Sequence, residues 1–192
     1  MGRKAFDMLT SITGLVMAGV LLLAGGLLIW ASVFISGQVH DQLAAQQVFF
    51  PAADSPAVQG DQFADMREYG GQQLTTGAQA QVYADDFIGV HLSEVADGQT
   101  YAQVSSALQA DPTNTTLQDQ ANTLFKGSTL RGLLLNAYAF GTMGSLAMIA
   151  GVVALIAAGL LLVLSLLGLR HSRGTTDEEQ IFDAPTPEPA PV

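Results

Sequence analysis

Of the 192 residues, 49% are hydrophobic and only 12% are charged, which is too apolar for an average soluble domain. The formal net charge of −10 disfavours nucleic acids and anionic lipid headgroups as partners, because like charges repel. The chain has no cysteine, so disulfides and thiolate metal sites are excluded.

Two uncharged apolar blocks, residues 12–35 and 132–169, hold most of the hydrophobic excess. A bilayer core about 30 Å thick needs about 20 helical residues, so the first block predicts one crossing. The second block is far too long for a single crossing. We therefore predict transmembrane helices over residues 12–36 and 142–169, and the turns before residue 142 belong to the segment between them.

The first block could also be a secretory signal peptide, because Arg3 and Lys4 precede an apolar stretch. The hydrophobic region of a signal peptide is about 7–15 residues long, which is shorter than this block. No small-x-small cleavage site closes the block, which ends with the letters VFIS at residues 33–36. An uncleaved membrane anchor is therefore favoured.

Basic residues flank both spans at the ends nearest the chain termini: Arg3, Lys4, Arg170 and Arg173. Since Lys and Arg are retained on the cytoplasmic side, residues 1–11 and 170–192 are predicted to be cytoplasmic, in the plasma (inner) membrane. Residues 37–141 then form an extracytoplasmic domain, with eleven acidic and three basic residues. The predicted fold is an all-α membrane protein, with two antiparallel transmembrane helices and this helical domain inserted between them.

Small residues recur at helical spacing within both spans: Gly14, Ala18, Gly25, Gly144, Ala147, Gly151, Ala154 and Ala158. Small side chains let two helices approach closely in lipid, so we predict that these residues pack the two spans together. Two alternatives remain, because such residues are frequent in any membrane helix and because the seam could face another protein chain.

Turn signals divide residues 37–141 into short helices. Residues 38–48 extend the first span outward, and a helix over residues 61–69 ends at two glycines. An apolar pattern from residue 75 predicts a longer helix that ends at Asp97-Gly98. Thr100 is then predicted to cap a helix that ends near residue 111, and Ser128 to cap a separate last helix leading into the second span.

The segment after Arg173 is acidic and contains alternating prolines, at residues 185, 187, 189 and 191. Such a composition cannot bury a core, so residues 170–192 are predicted to be a disordered cytoplasmic tail. The tail could be a solvating segment or an extended docking motif for a cytoplasmic protein.

Histidine and carboxylate side chains supply one weak candidate metal site. His91 and Glu94 are three residues apart on a predicted helix and share a face, and His40 could add a second histidine. Two histidines and one carboxylate are the ligand set of non-haem iron oxygenases. A surface histidine is the simpler interpretation, because any helical domain rich in acids contains such a pair.

Other catalytic signatures are missing from the sequence. It contains no G-x-S-x-G, H-E-x-x-H, P-loop or dinucleotide-binding glycine motif, so no catalytic residue and no cofactor are predicted. Neither span holds an ionisable residue, which disfavours a proton relay or ion pathway built by this chain alone.

Four stretches carry a resemblance to a known family: RKAFDMLTSITGL, QLAAQQVFFP, YADDFIGVHLSEVADGQTYAQVSSAL and TLFKGSTLRGLLLNAYAFG. From Arg3 to Leu169 the chain resembles a family of small two-span membrane proteins from actinobacteria, a family of unknown function. Its members are often labelled aromatic ring-opening dioxygenases. The resemblance implies the two-span layout, but the residues here do not support that label, since such enzymes need an iron site and an aromatic pocket.

Three functional hypotheses follow. The first is a non-enzymatic accessory or scaffold component of a cell-envelope or respiratory membrane assembly, with the lipid bilayer and other membrane proteins as partners. The second is a metal-dependent dioxygenase, and the third is a membrane sensor or adaptor that signals through its tail.

Overall fold

The computed structural model describes residues 3–173, and within this range the chain is almost entirely helical. Its α-helices are α1 (Arg3–Ala45), α2 (Ala64–Glu68), α3 (Gly77–Val82), α4 (Val90–Val95), α5 (Tyr101–Ala110) and α6 (Thr115–Ser172). A π-helical segment, Tyr83–Gly89, joins α3 to α4, and two short 3-10 turns precede α2. The one antiparallel bridge in these residues pairs Phe49 with Gln73. The prediction of an all-α chain is therefore confirmed for the described residues.

Helices α1 and α6 are both long and apolar enough to cross a membrane. The core helix of a soluble protein would pass the same test, but most of its residues would be buried. Here only 11% of the most apolar 18-residue window of each helix is buried inside the protein. The apolar side chains of both helices therefore face outward, as they do in helices that contact lipid.

The chain divides into two compact units. We call the first the helix-pair unit; it combines α1 up to Trp30 with α6 from Ala147 onward. We call the second the helical domain, which comprises residues 31–146. Residues 174–192 lie outside the described range, so the predicted disordered tail and its docking motif stay predictions.

The helix-pair unit is built on buried small residues. On α1 these are Ser11, Ala18 and Gly25, and on α6 they are Gly151, Ala158 and Ser165. Each set advances by seven residues, which keeps one face of a helix against its partner over several turns. Gly14 lies against Ser165, and Gly25 lies against Gly151, so the two helices run antiparallel within this unit.

The larger core of the helical domain, here called the Phe50 cluster, consists of Leu43, Phe50, Val58, Phe63, Met66, Leu74 and Ala80. Phe50 stacks against two tyrosine rings, with centroids 5.2 Å from Tyr69 and 5.4 Å from Tyr83. The backbone between these side chains is tied by short bonds, such as Leu74 N–H to the Val48 carbonyl at 2.9 Å. These contacts fix the chain that follows α1 against α3.

A second core, the Val104 cluster, joins α4, α5 and the first turns of α6. It consists of Ala96, Val104, Ala121 and Leu124. The Gln120 side chain donates a hydrogen bond of 3.0 Å to the Val95 carbonyl at the end of α4. The domain is thus held by two separate apolar clusters along α6.

Capping interactions set the beginnings of α3 and α5. Thr76 and Thr100 each form a capping box, in which the threonine hydroxyl accepts from the N3 backbone and the N3 glutamine side chain accepts from the threonine backbone N–H. Asp97 and Gly98 both have positive φ angles, 51° and 79°, which ends the helix before Thr100. The predicted helix end at Asp97-Gly98 and the predicted cap at Thr100 are confirmed.

The prediction that Ser128 begins a separate helix is wrong. Helix α6 runs from Thr115 to Ser172 without interruption, and Ser128 lies inside it. The helix continues through Gly127 because the Leu92 side chain packs directly over that residue, with Leu92 Cγ 3.0 Å from the position of an added Cβ. Tertiary packing here outweighs the local preference of Gly-Ser for a helix boundary.

Candidate functional site

The candidate metal ligands are not gathered in the structure. His40 lies on α1, where its Nδ1 is 3.2 Å from the Asp41 carboxylate, and both side chains are exposed. His91 lies on α4 and donates from Nδ1 to the Phe87 carbonyl at 2.7 Å. Glu94 is exposed. Across residues 3–173, no group of three or more His, Asp or Glu side chains is placed to hold a metal ion.

His91 is instead part of an aromatic stack. Its ring centroid is 4.4 Å from that of Phe87 and 5.9 Å from that of Phe63, which belongs to the Phe50 cluster. Both distances are within or near the range of favourable ring contacts. The hydrogen bond to the Phe87 carbonyl and these two rings give the imidazole a packing role at the edge of the core.

The π-helical segment carries two adjacent acidic residues, Asp85 and Asp86. Asp85 lies on this segment, and its carboxylate accepts a hydrogen bond of 2.7 Å from Arg131 on α6. Burial raises the pKa of the neighbouring Asp86 carboxyl above its usual value, and repulsion from Asp65 and Asp85 adds to the effect. The Arg131 Nε atom is buried and has no hydrogen-bond partner among residues 3–173. Because Asp85 lies on the π-helical segment and Arg131 lies on α6, their hydrogen bond connects the two elements.

A π-helical turn holds one extra residue per turn relative to an α-helix, and such turns are frequent at functional sites. Here it places Tyr83 and Ile88 on one side, where both line a cavity, while Asp85 reaches Arg131. Burial raises the pKa of the Tyr83 hydroxyl, so this group is a hydrogen-bond donor at neutral pH.

The cavity in the helical domain has a volume of about 720 Å³, within the range of about 300–1,000 Å³ found for ligand pockets. Its apolar walls include Phe34 and Val39 from α1 and Leu133 and Phe140 from α6. Its polar groups are Gln38 and Gln42 on α1, Gln46 directly after the end of α1, Asn136 and Tyr83. Among the residues that the structure describes, those lining this cavity are all uncharged.

The small residues predicted to pack the two spans together are buried or half-buried in the structure. In the helix-pair unit, Ala18, Gly25, Gly151 and Ala158 are buried, and Gly14, Ala147 and Ala154 are half-buried. A Cβ added to Gly25 would lie 3.0 Å from the Gly151 carbonyl oxygen and 2.8 Å from Leu155 Cδ2. In the helical domain, Gly144 is buried against Ile35 and Ser36.

Two features were not predicted from the sequence. One is the set of buried serines among the small residues of α1 and α6, and the other is the cavity. Ser11, Ser32, Ser165 and Ser172 are buried at positions that extend the same seven-residue spacing on each helix. That spacing is visible in the sequence once serine is counted with glycine and alanine as a small residue. The cavity has no comparable signal, because its lining comes from three elements that are distant in the chain.

Comparisons with protein-family models, with curated proteins and with solved structures found no significant match to this chain.

Proposed function

We propose that the protein is a non-enzymatic integral membrane protein that crosses the plasma membrane through α1 and α6, with both termini in the cytoplasm. The observation that carries this proposal is the outward exposure of large apolar side chains on both helices. Leu23, for example, is 72% exposed, and α6 carries a similar series that includes Leu146, Val153 and Leu164. Outside lipid, an apolar surface of this extent would cause aggregation.

The distribution of charge supports the orientation. Basic residues flank both apolar blocks at the terminal side, and the helical domain is strongly acidic. Because positive charges are retained in the cytoplasm, the acidic domain lies on the outer side. Residues 12–36 and 142–169 are the spans in this proposal, and residues 37–141 form the outer domain.

We further propose that the outer domain attaches the protein to a cell-envelope or respiratory membrane assembly as an accessory or scaffold component. An exposed aromatic pair supports this role: Tyr101 is 41% exposed, Phe125 is 56% exposed, and their ring centroids are 5.5 Å apart. Exposed aromatic side chains are common anchors of protein interfaces. The pair lies on an acidic domain, so a partner with a basic rim around an apolar patch would fit it.

The topology is tested by labelling single introduced cysteines. The chain has no native cysteine, so any label reports the introduced position alone. Gln109→Cys places a thiol on an exposed position of α5, and Gly174→Cys places one after the second span. In intact cells, a membrane-impermeant maleimide should label the first and label the second only after lysis. The reverse pattern, or equal labelling of both, contradicts the proposed topology.

The scaffold role is tested with the exposed aromatic pair. Native membranes are solubilised in a mild detergent, and the size of the complex that contains the protein is measured by native electrophoresis. Phe125→Ala should reduce the complex to the size of the free protein, whereas Gln118→Ala, also exposed on α6, should leave it unchanged. Recovery of the wild-type protein alone and monomeric would overturn the scaffold role.

A further inference from the structure

We propose that the cavity of the helical domain binds one uncharged lipid, taking its apolar chain into the cavity and its oxygen-bearing head against the glutamines at and just after the end of α1. The inference rests on the membrane-spanning topology proposed above and adds a ligand site to it.

The walls suit a hydrocarbon chain. Leu74 belongs to the Phe50 cluster and is completely buried, so this wall is fixed by the core behind it. Leu133 and Phe140 are 61% and 48% exposed, and they form an apolar side that the protein itself leaves uncovered. Covering these side chains with an acyl chain would remove apolar surface from water.

The polar groups of the cavity select an uncharged head. Gln38 and Gln42 occupy successive turns of α1, and Gln46 follows the last residue of that helix, so their amides form a row that lines the cavity. Asn136 adds another amide from α6. Amides donate and accept hydrogen bonds without carrying charge. An anionic phosphate head would meet no positive charge in the lining and would face an acidic domain. Ester and hydroxyl oxygens, as in a diacylglycerol, match this row.

The position of the cavity gives a lipid a route of entry. Phe34 and Ile35 lie at the end of the first proposed span, and Phe140 lies two residues before the second. Aromatic residues at span ends are typical of the boundary between hydrocarbon and headgroups. A lipid of the outer leaflet could therefore enter the cavity at this end.

The π-helical segment closes one side of the cavity. Tyr83 and Ile88 line the cavity from this segment, and the Arg131–Asp85 pair holds the segment to α6. The Tyr83 ring also packs on Phe50, with centroids 5.4 Å apart, so its position is set by the core. The Tyr83 hydroxyl is thus a positioned donor for an acceptor oxygen on the lipid.

Photolabelling of the full-length protein in phosphatidylcholine vesicles tests the proposal. The probe is a diacylglycerol with a diazirine in one acyl chain, and the labelled peptides are identified by mass spectrometry. Label should concentrate in residues 34–48, 83–88 and 130–140. Excess unlabelled diacylglycerol should abolish this labelling, whereas the same excess of anionic phosphatidylglycerol should not. Labelling spread evenly along α1 and α6, or equal competition by both lipids, would overturn the proposal.

Two variants sharpen the test. Ala137→Phe fills the cavity from α6, and Ala139→Phe places the same side chain at an exposed position that does not line it. The first should reduce the labelling yield about tenfold, which corresponds to about 1.4 kcal/mol of binding free energy, and the second should not change it. Gln42→Leu alters an exposed glutamine, so folding is preserved and labelling should still fall. Unchanged labelling in both cavity variants contradicts the proposal.

The two proposals fail in different ways. If the cysteine labels report the proposed topology but the photoprobe avoids the cavity, the lipid site alone is wrong. If the cysteine labels report another topology, the membrane proposal is wrong, whatever the photoprobe labels. Crosslinking of the cavity residues to a second protein in native membranes, in place of the lipid, would also overturn the lipid site.

Discussion

The helix-pair unit and the helical domain differ in the size of the side chains that they bury. In the first, the buried positions carry glycine, alanine and serine, and the large side chains face outward. In the second, the buried positions carry Phe50, Met66, Leu74 and similar large residues. Burial of apolar area stabilises helices only where water is the alternative, whereas helices in lipid gain from close backbone packing. The buried residues of the helix-pair unit are therefore typical of helices in lipid, and those of the helical domain are typical of a domain in water.

The contrast is not complete, because the helical domain also uses glycine where parts of the chain approach closely, as at Gly77. A Cβ added to Gly77 would lie 3.1 Å from the Ala137 carbonyl oxygen and 3.2 Å from Gly141 Cα. The first turn of α3 thus rests directly on the α6 backbone. In both units small residues lie where two backbones come close, and in the helical domain large apolar residues form the cores.

Removal of a large core side chain should have the largest effect. Phe50 is 2% exposed and its neighbour Phe49 is 56% exposed, so the pair offers a matched comparison. Phe50→Ala should lower the free energy of unfolding of the helical domain by about 3–5 kcal/mol, because it removes ring contacts and leaves a cavity. Denaturant titration in detergent, followed by tyrosine fluorescence, measures this loss. A comparable loss in Phe49→Ala would contradict the assignment of the core.

Enlargement of a seam residue should have the next largest effect. Gly25→Val places methyl groups against Leu155 and the Gly151 backbone, so the helices of the helix-pair unit must separate. We expect a loss of about 1–3 kcal/mol, as found for overpacked cores. Gly26→Val is the control, because a Cβ there would have no described atom within 4 Å other than the nearby backbone of its own helix. Reversible unfolding in mixed micelles gives both values, and equal losses would show that helix propensity dominates over packing.

Loss of a helix cap should have a smaller effect, confined to the helical domain. Thr100→Ala removes the hydroxyl that accepts a hydrogen bond from the Gln103 backbone, which should cost about 0.5–2 kcal/mol. Thr129→Ala is the control, since the Thr129 hydroxyl donates to the Phe125 carbonyl inside α6 and helix interiors favour alanine. Amide hydrogen exchange should rise in α5 for the first variant alone. Unchanged exchange in α5 would argue against the cap.

The smallest expected effect concerns Asp86 and depends on pH. Because its pKa is raised in the folded protein, the folded state binds the proton more tightly than the unfolded state. Stability should therefore fall as the pH rises from the unfolded pKa through the raised folded pKa. Asp86→Asn removes this destabilisation and should stabilise the protein at neutral pH by up to about 0.5 kcal/mol, typical of surface changes.

This gain should disappear below the unfolded pKa of Asp86, where the wild-type carboxyl is protonated in both states. Asp119→Asn, an exposed acid on α6, serves as the control. Thermal unfolding of both variants in detergent between acidic and neutral pH measures the difference. A gain for Asp86→Asn that persists at acidic pH would assign it to a cause other than charge.

The parts of the fold that could be predicted from sequence depend on local signals. The lengths of the apolar blocks indicate two long helices, the Asp97-Gly98 turn indicates a helix end, and Thr100 with Gln103 indicates a capping box. Each of these signals lies within a few residues of the feature that it specifies. The error at Ser128 shows the limit, because there the helix is continued by Leu92, which lies 36 residues earlier in the chain.

The candidate site could not be predicted for the same reason. The cavity needs α1, the π-helical segment and α6 together, and no short motif records that arrangement. The metal hypothesis paired His91 with Glu94 by their three-residue spacing and added His40 by residue type alone. His91 is bound to the Phe87 carbonyl and stacked on aromatic rings, which residue type does not reveal.

The π-helical segment constrains how this chain can vary in length. A π-helical turn takes up one extra residue, so deletion of one residue from Tyr83–Gly89 would convert the wide turn to an ordinary one and leave the helix after it with nearly the same rotation. Deletion of a second residue would rotate that helix by about 100°. Leu92 would then turn away from Gly127, and the Val104 cluster would lose its contact with α4. Homologous chains should therefore tolerate a single-residue gap at this point far more readily than a gap of two residues.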